Sequence, residues 1–366
     1  MPSTNVTARV LHVSAHQDLM MNFLRNFQSS SVVFDFEISG EGNRFRFLSD
    51  PAFNGKVFRT AGRKTSDIGW LRDLRRITRQ NQYSHVHIHS SWASAEVLLA
   101  LSGIESVKVV HNHQVFPHPG ACRSAKWQVA GNIIRRNSDF RFACSEPVGE
   151  QMFLDNFEIV PNVVEYAKHR FNLDDRSSVR HLLGISPRAL VLGHIGHYET
   201  YKNHDFLLEI LAELVRSDPN WTLVLVGSGD TRRQKFEWAV DRAGLRGNVQ
   251  ILGDRSDAAK LMNGFDVFAF PSLYEGFGMA LLEAQINGVP SVYSAGIPQE
   301  AVIADYAYEL DLCLGPRVWA DRIRSVAEDG ANCEIRSARS SSVSRTYDAV
   351  VRAPELEDFY LRTARR

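Results

Sequence analysis

Short apolar or β-branched runs alternate with helical patterns along most of this chain, and that alternation constrains its fold more than any other feature. The first half reads "ARVLHVSA", "SVVFDFEIS", "KVFRTA", "HVHIHS", "VKVVHNH", "FRFACS" and "FEIVPN", with helical crossovers between the runs. Strands joined in this way pack as a parallel sheet. Residues 163–188, "VVEYAKHRFNLDDRSSVRHLLGISPR", interrupt the pattern with a charged, serine-containing stretch that closes on a proline. Beyond it the alternation restarts with "ALVLGHIG", "WTLVLVGSG", "VQILG", "DVFAFPS", "PSVYSA" and "AYELDL". At 366 residues the chain exceeds the ~250–300 at which single cores split. The expected fold class is therefore α/β, with two doubly wound domains. Their expected spans are 1–165 and 188–350, joined by a linker at 166–187 and followed by a closing helix at 351–366 that crosses back. The Ser/Arg-rich "SARSSSVSR" at 337–345 reads as a loop. Open parallel sheets bind ligands at the carboxyl ends of their strands, so a site in a cleft between the two domains is expected.

Composition narrows the function. Lysines and arginines number 42, as do aspartates and glutamates, so bulk charge gives no reason to expect nucleic acid. The four cysteines form no Cys-x-x-Cys pair, which argues against a disulfide scaffold or a cysteine zinc site and fits a reducing cytoplasm. No apolar run reaches the ~18 residues of a membrane span, and the polar start "MPSTNVTARV" lacks a signal-peptide core. A soluble cytoplasmic protein is expected.

The densest chemistry lies in "PSLYEGFGMALLEAQ", residues 271–285, where Glu275 and Glu283 flank a Gly-x-Gly turn. "DVFAFPS" is a buried-strand pattern and "MALLEAQING" is helical, so "LYEGFG" is a strand-to-helix loop. A helix that starts after Gly278 aims unpaired amides at an anion such as a diphosphate. Glu283, just over one turn into that helix, can accept hydrogen bonds from sugar hydroxyls. A capped loop and a solvated helix glutamate are the alternative reading of the same spacing. A second cluster, "GHIGHYETYKNH" at 193–204, follows the first strand of the second domain and places Lys202 as a point charge for phosphate. His197 adds a proton-dependent donor.

Together these clusters resemble the retaining glycosyltransferases of family four, which have the GT-B fold, and in particular the bacterial exopolysaccharide and capsule enzymes. The resemblance is carried by "PSLYEGFGMALLEAQINGVP" and "IGHYETYKNHDFLLEIL", with weaker matches in "YSHVHIHS", "FACSEPVGEQMF", "IVPNVV" and "QILGDRSDAAKLMNGFDVF". It implies a hexosyl transfer from a nucleotide diphosphate sugar, UDP-linked, to a growing or lipid-linked glycan. It also implies Glu283 on the ribose, and Glu275, Gly276 and Phe277 at the donor sugar. Lys202, His197 and the backbone at Gly278, Met279 and Ala280 would hold the diphosphate, while Gly253, Asp254 and Arg255 run beside the base. Catalytic contacts fall to Glu275 and to His111 or His113. Preorganised amides and one lysine can stabilise the leaving diphosphate without a metal, so no cofactor and no obligatory cation are expected.

Three departures from the family pattern stand out. His197 replaces the usual arginine, which makes one charge titratable. The turn after the first strand, within "LHVSAHQDLMMNFLRNF", contains no glycine. Val163 stands where the glycine of Asn-Gly is usual, in "PNVV". The missing glycine loop favours a nucleotide-sugar-binding regulatory protein that has lost transfer, against which intact Glu275, Glu283 and Lys202 argue; a GT-B nucleotide-sugar epimerase would share the cleft but need no acceptor, and the match at "EGFGMALLEA" argues against it. Histidines are dense in the first domain, at 85, 87, 89, 111, 113 and 118. Alternation in "HVHIH" puts His85, His87 and His89 on one strand face, a metal reading weaker than the family one. Finally, "GWLRDLRRITRQNQ" sets Leu71, Leu74 and Ile77 against Arg72, Arg75, Arg76 and Arg79. Its plain reading is a solvated helix packing on the sheet, and its sharper one is peripheral contact with an anionic inner-membrane face.

Overall fold

In a computed structural model, residues 8–14, 17–39, 46–61, 67–115, 125–186 and 188–364 are described. His118 lies outside them. The chain forms two units, Met1–Glu165 with Thr346–Arg366, and Tyr166–Arg345.

In the first unit seven parallel strands form one sheet: β1 (Ala8–Val13), β2 (Val32–Ser39), β3 (Val57–Thr60), β4 (His85–Ile88), β5 (Val107–Asn112), β6 (Phe140–Ala143) and β7 (Glu158–Ile159), in the order β3-β2-β1-β4-β5-β6-β7. The second unit holds β8 (Leu190–Ile195), β9 (Trp221–Val226), β10 (Val249–Ile251), β11 (Val267–Phe270), β12 (Ser291–Tyr293) and β13 (Ala307–Glu309), all parallel, in the order β10-β9-β8-β11-β12-β13. Both sheets are doubly wound and reverse direction beside their first strand, at β1/β4 and β8/β11. Such reversals open crevices at the carboxyl ends of the strands. This is the α/β architecture that the alternation implied. β4 and β11 are buried along their whole length, as expected of strands covered on both faces.

The closing helix spans Ala349–Thr363 and belongs to the first unit, where Leu356, Phe359 and Tyr360 pack with Val10, Phe34, Phe36 and Val109. It crosses back, as the fold expectation had it. The turn after β1, which lacks a glycine, is made by Ser14 in a left-handed conformation (φ 55°), its amide donating to the buried Glu37. Val163 is fully buried in the same core.

Two segments differ from their sequence reading. Residues 166–187 are not a free linker: helices Tyr166–His169 and Leu173–Leu182 belong to the second unit. Asn172 caps the longer helix by accepting from the Asp175 amide, and its own amide donates to Asn263 Oδ1 at 2.8 Å. Buried Arg176 bonds Asp266 and the carbonyls of Asn263 and Phe265, and Arg180 reaches Asp266 at 3.0 Å. A charged stretch becomes core because its charges are paired and hydrogen-bonded. Residues 337–345 are likewise not a simple loop, since helix Cys333–Ser342 runs through most of them. Within that helix, fully buried Arg336 donates to the carbonyls of Met262, Asn263 and Phe265 and to Asn287.

The basic helix spans Asp67–Asn81 and buries Trp70, Leu74 and Ile77. Arg75 donates to the carbonyls of Ala100 and Ser102, and Arg76 pairs with Asp73, so half of the expected basic face is already engaged. Among the described residues, no helix is long and apolar enough to cross a membrane.

Candidate functional site in the second unit

β8 and β11 are neighbours at the point where the second sheet reverses, and the loops that leave their carboxyl ends meet there. After β8 the chain makes a short turn over Thr200–Lys202, and Asn203, left-handed at φ 58°, starts helix His204–Ser217. Asn203 Nδ2 donates to the Pro271 carbonyl at 3.2 Å, and the Leu273 amide donates to the Tyr201 carbonyl at 2.7 Å. Tyr201 and Tyr274 stack with centroids 5.1 Å apart. The two loops are thus stitched by backbone and side chain alike.

That stitching delivers Lys202 to Glu275. The Lys202 Nζ donates to Glu275 Oε1 at 2.6 Å, and the Ser272 hydroxyl donates to the same oxygen at 2.7 Å. Both charged side chains are mostly buried, at 12% and 11% exposed, and Nζ sits 4.8 Å from the centroid of the Phe270 ring. The Glu275 amide donates to the Gly296 carbonyl, which fixes the loop from β12. A cation held this firmly in low dielectric meets an incoming anion without first being ordered. The carboxylate's second oxygen remains able to accept from a hydroxyl.

Helix Met279–Ile286 follows directly. Gly278 adopts φ +98°, and a Cβ there would lie 3.0 Å from Ile297, so the turn needs glycine on both conformational and steric grounds. No side chain caps this helix, and the Leu281 and Leu282 amides turn back to the Gly278 carbonyl. Met279 and Ala280, half-buried, are left at the helix start, where anions are favoured. Gly276 is half-buried and the Phe277 ring is buried.

Glu283 is half-buried, and burial raises its carboxyl above the ordinary glutamate value, with His169 and Lys202 opposing. His197 is exposed and its Nδ1 lies 2.8 Å from the Ser228 hydroxyl. Gly253 is left-handed (φ +67°) and its carbonyl accepts from the Gly227 amide, which ties the loop after β10 to β9. Asp254 is exposed, while the Arg255 guanidinium makes a two-bond pair with Asp257 at 2.8 and 2.7 Å. The structure adds Ser272, Asn203 and Gly296 to the residues expected from sequence. Ser272 was within reach of sequence reasoning, three residues before Glu275. Nothing local marks Gly296, whose missing side chain leaves room for the Leu273 carbonyl.

The first unit revises the histidine expectations. His111 is buried, and its Nε2 donates to the Val160 carbonyl at 3.0 Å. His113 is half-buried, but its nitrogens lie 2.8 Å from Asn162 Oδ1 and 2.9 Å from His89 Nδ1. His85, His87 and His89 do share a face, but His85 Nε2 is bonded to Thr363 and His87 Nδ1 to the Tyr360 hydroxyl, beneath the closing helix. Burial, first, and neighbouring histidines hold His87 and His111 neutral, and bring His12 down to about 3.

The model of the family described as "Glycosyl transferases group 1" matches residues 187–329, which contain His197, Lys202, Gly253–Arg255, Glu275 and Glu283. The EpsF protein of Bacillus subtilis (strain 168), named as a glycosyltransferase, is 29% identical over 353 residues, 88% of each chain. The UDP-Gal:alpha-D-GlcNAc-diphosphoundecaprenol alpha-1,3-galactosyltransferase of Escherichia coli is 26% identical over 245 residues, 62% of each. Among solved structures, Anabaena Alr3699/HepE in complex with UDP-glucose superposes with a TM-score of 0.81 at 18% identity, covering 96% of this chain and 99% of that one. At that identity the likeness concerns the fold, which is GT-B.

Proposed function

We propose that this chain, a GT-B glycosyltransferase with a group 1 glycosyl transferases domain at 187–329, moves a hexosyl unit from a UDP-sugar to a growing or lipid-linked glycan with retention of configuration. The observation that carries the donor half of this reading is the buried Lys202–Glu275 pair beside the uncapped start of helix Met279–Ile286.

As the bond between the anomeric carbon and the diphosphate oxygen breaks, its electron pair goes to the diphosphate. Lys202 and the amides of Met279 and Ala280 neutralise that developing charge, with His197 as an additional donor when protonated. An acceptor hydroxyl attacks from the face the diphosphate leaves, and its proton passes to the departing phosphate oxygen. No protein nucleophile is needed. Glu275, held by Lys202 and Ser272, positions the donor sugar through its other oxygen. Glu283 accepts from the ribose hydroxyls, and the backbone at Gly253–Arg255 lies along the base. This chemistry uses no metal at the diphosphate. The E. coli relative acts on a diphosphoundecaprenol acceptor by its name, which supports a lipid-linked acceptor here.

The test is a thermal-shift screen against UDP, GDP, ADP and their sugar conjugates, with and without chelator. A ligand at 100 times its Kd stabilises the native state by about 2.7 kcal/mol. A chelator-resistant rise with UDP-sugars supports the reading, and no rise with any nucleotide sinks it. Product analysis with and without acceptor separates transfer from epimerisation.

Glu283 adds a pH test. Its native carboxyl is raised, so the folded protein binds this proton more tightly than the unfolded chain. The group therefore contributes stability at low pH, and that contribution is lost as pH rises from the ordinary glutamate value through the native one. Ribose binding needs the charged acceptor, so affinity for UDP is expected to fall as pH drops through the same window. Glu283→Gln should flatten both dependences in calorimetric titrations; an unchanged pH profile removes Glu283 from the ribose.

A further inference from the structure

We propose that His89, His111 and His113 bind one divalent transition-metal ion of the zinc class, at the point where the first sheet reverses. β1 and β4 are paired neighbours there, as β8 and β11 are in the second unit, and β5 lies beside β4.

The argument rests on where the lone pairs point. A backbone carbonyl only accepts, so the 3.0 Å contact from His111 Nε2 to Val160 places the ring's proton on Nε2 and leaves a lone pair on Nδ1. That Nδ1 is buried and has no partner. His113 Nδ1 faces Asn162 Oδ1 at 2.8 Å, which likewise puts its proton outward and a lone pair on Nε2. His113 Nε2 lies 2.9 Å from His89 Nδ1. His111 and His113 have ring centroids 4.0 Å apart, and His89 and His113 5.2 Å.

One nitrogen from each of the three residues lies within 4.8 Å of the other two. Zinc–nitrogen bonds of about 2.0–2.1 Å set ligand nitrogens roughly 3.4 Å apart in a tetrahedron, so side-chain adjustments of about 1 Å close the set. Outward protons held by a carbonyl and an amide oxygen are the outer contacts that orient metal-binding imidazoles. Binding requires no proton loss: His89 shifts its proton from Nδ1 to Nε2, which donates to His12 Nδ1 at 2.9 Å, and His12 moves its own proton to its unpartnered Nε2. Half-buried His113 marks the side open to solvent, where a water or ligand atom can fill the fourth position. The neighbouring trio His12, His87 and His89 is also close enough to hold an ion but is buried throughout.

The experiment titrates the full-length, chelator-treated protein with Co²⁺ and reads the visible ligand-field bands, then competes with Zn²⁺. One equivalent bound with the intense bands of a four-coordinate nitrogen site, displaced by zinc, is expected. Absence of a stoichiometric site in the wild type overturns the proposal without recourse to any variant. His111→Ala and His113→Ala, each checked for native circular dichroism, should weaken binding by at least the roughly 10–100-fold that loss of an outer contact costs. His181→Ala, on the exposed face of helix Leu173–Leu182, should bind as the wild type does. Binding that survives His113→Ala undiminished, or that depends on His87 instead, also overturns it. UDP binding in the second unit is a separate readout, so failure of this site and failure of the proposed transfer are distinguishable.

Discussion

Lys202→Ala is expected to lower sugar transfer by roughly 10²–10³-fold, the cost typical of losing one preorganised donor to a developing oxyanion. The loss should be larger for transfer than for UDP binding, because diphosphate charge grows as the glycosidic bond breaks. The substitution also removes the partner of Glu275, whose mostly buried carboxylate then keeps only the Ser272 hydroxyl on that oxygen. Lys202→Ala combined with Glu275→Gln should therefore show less than the sum of the two single losses in transition-state free energy. Steady-state kinetics with UDP-sugar, together with calorimetry on UDP alone, measures both quantities. Unchanged UDP affinity in Lys202→Ala would take the lysine off the diphosphate.

Glu275→Gln keeps the shape of the loop and the Glu275-to-Gly296 backbone bond but deletes the charge. About a 10²-fold fall in kcat is expected, with a smaller change in the affinity for UDP, since the residue is assigned to the sugar and to charge in the transition state. UDP and UDP-sugar binding should consequently diverge in this variant. Equal losses for both would place Glu275 at the nucleotide instead. A covalent sugar adduct trapped on Glu275 would replace same-face attack with a double displacement.

Much of this protein is legible in its residues alone. Short continuous apolar runs such as "DVFAFPS" and the helical spacing of "MALLEAQ" report local preferences that tertiary packing had no reason to override, so both doubly wound sheets were foreseeable. Gly278 is equally legible, because a left-handed turn ahead of a helix is a local requirement. Segment 166–187 misleads for the opposite reason. Asp, Arg and Ser read as solvent-facing, and only the distant Asn263, Phe265 and Asp266 make Arg176 a core residue.

The sequence by itself determined the fold class and the identity of Lys202, Glu275 and Glu283 as the residues to watch, because strand and helix periodicity and turn chemistry act over a few neighbours. Only the tertiary structure decided that Lys202 and Glu275, 73 positions apart, share one ion pair, and that His111 turns its proton outward to Val160 and its lone pair inward. Burial and long-range partners set those properties, and neither is written in the residues on either side.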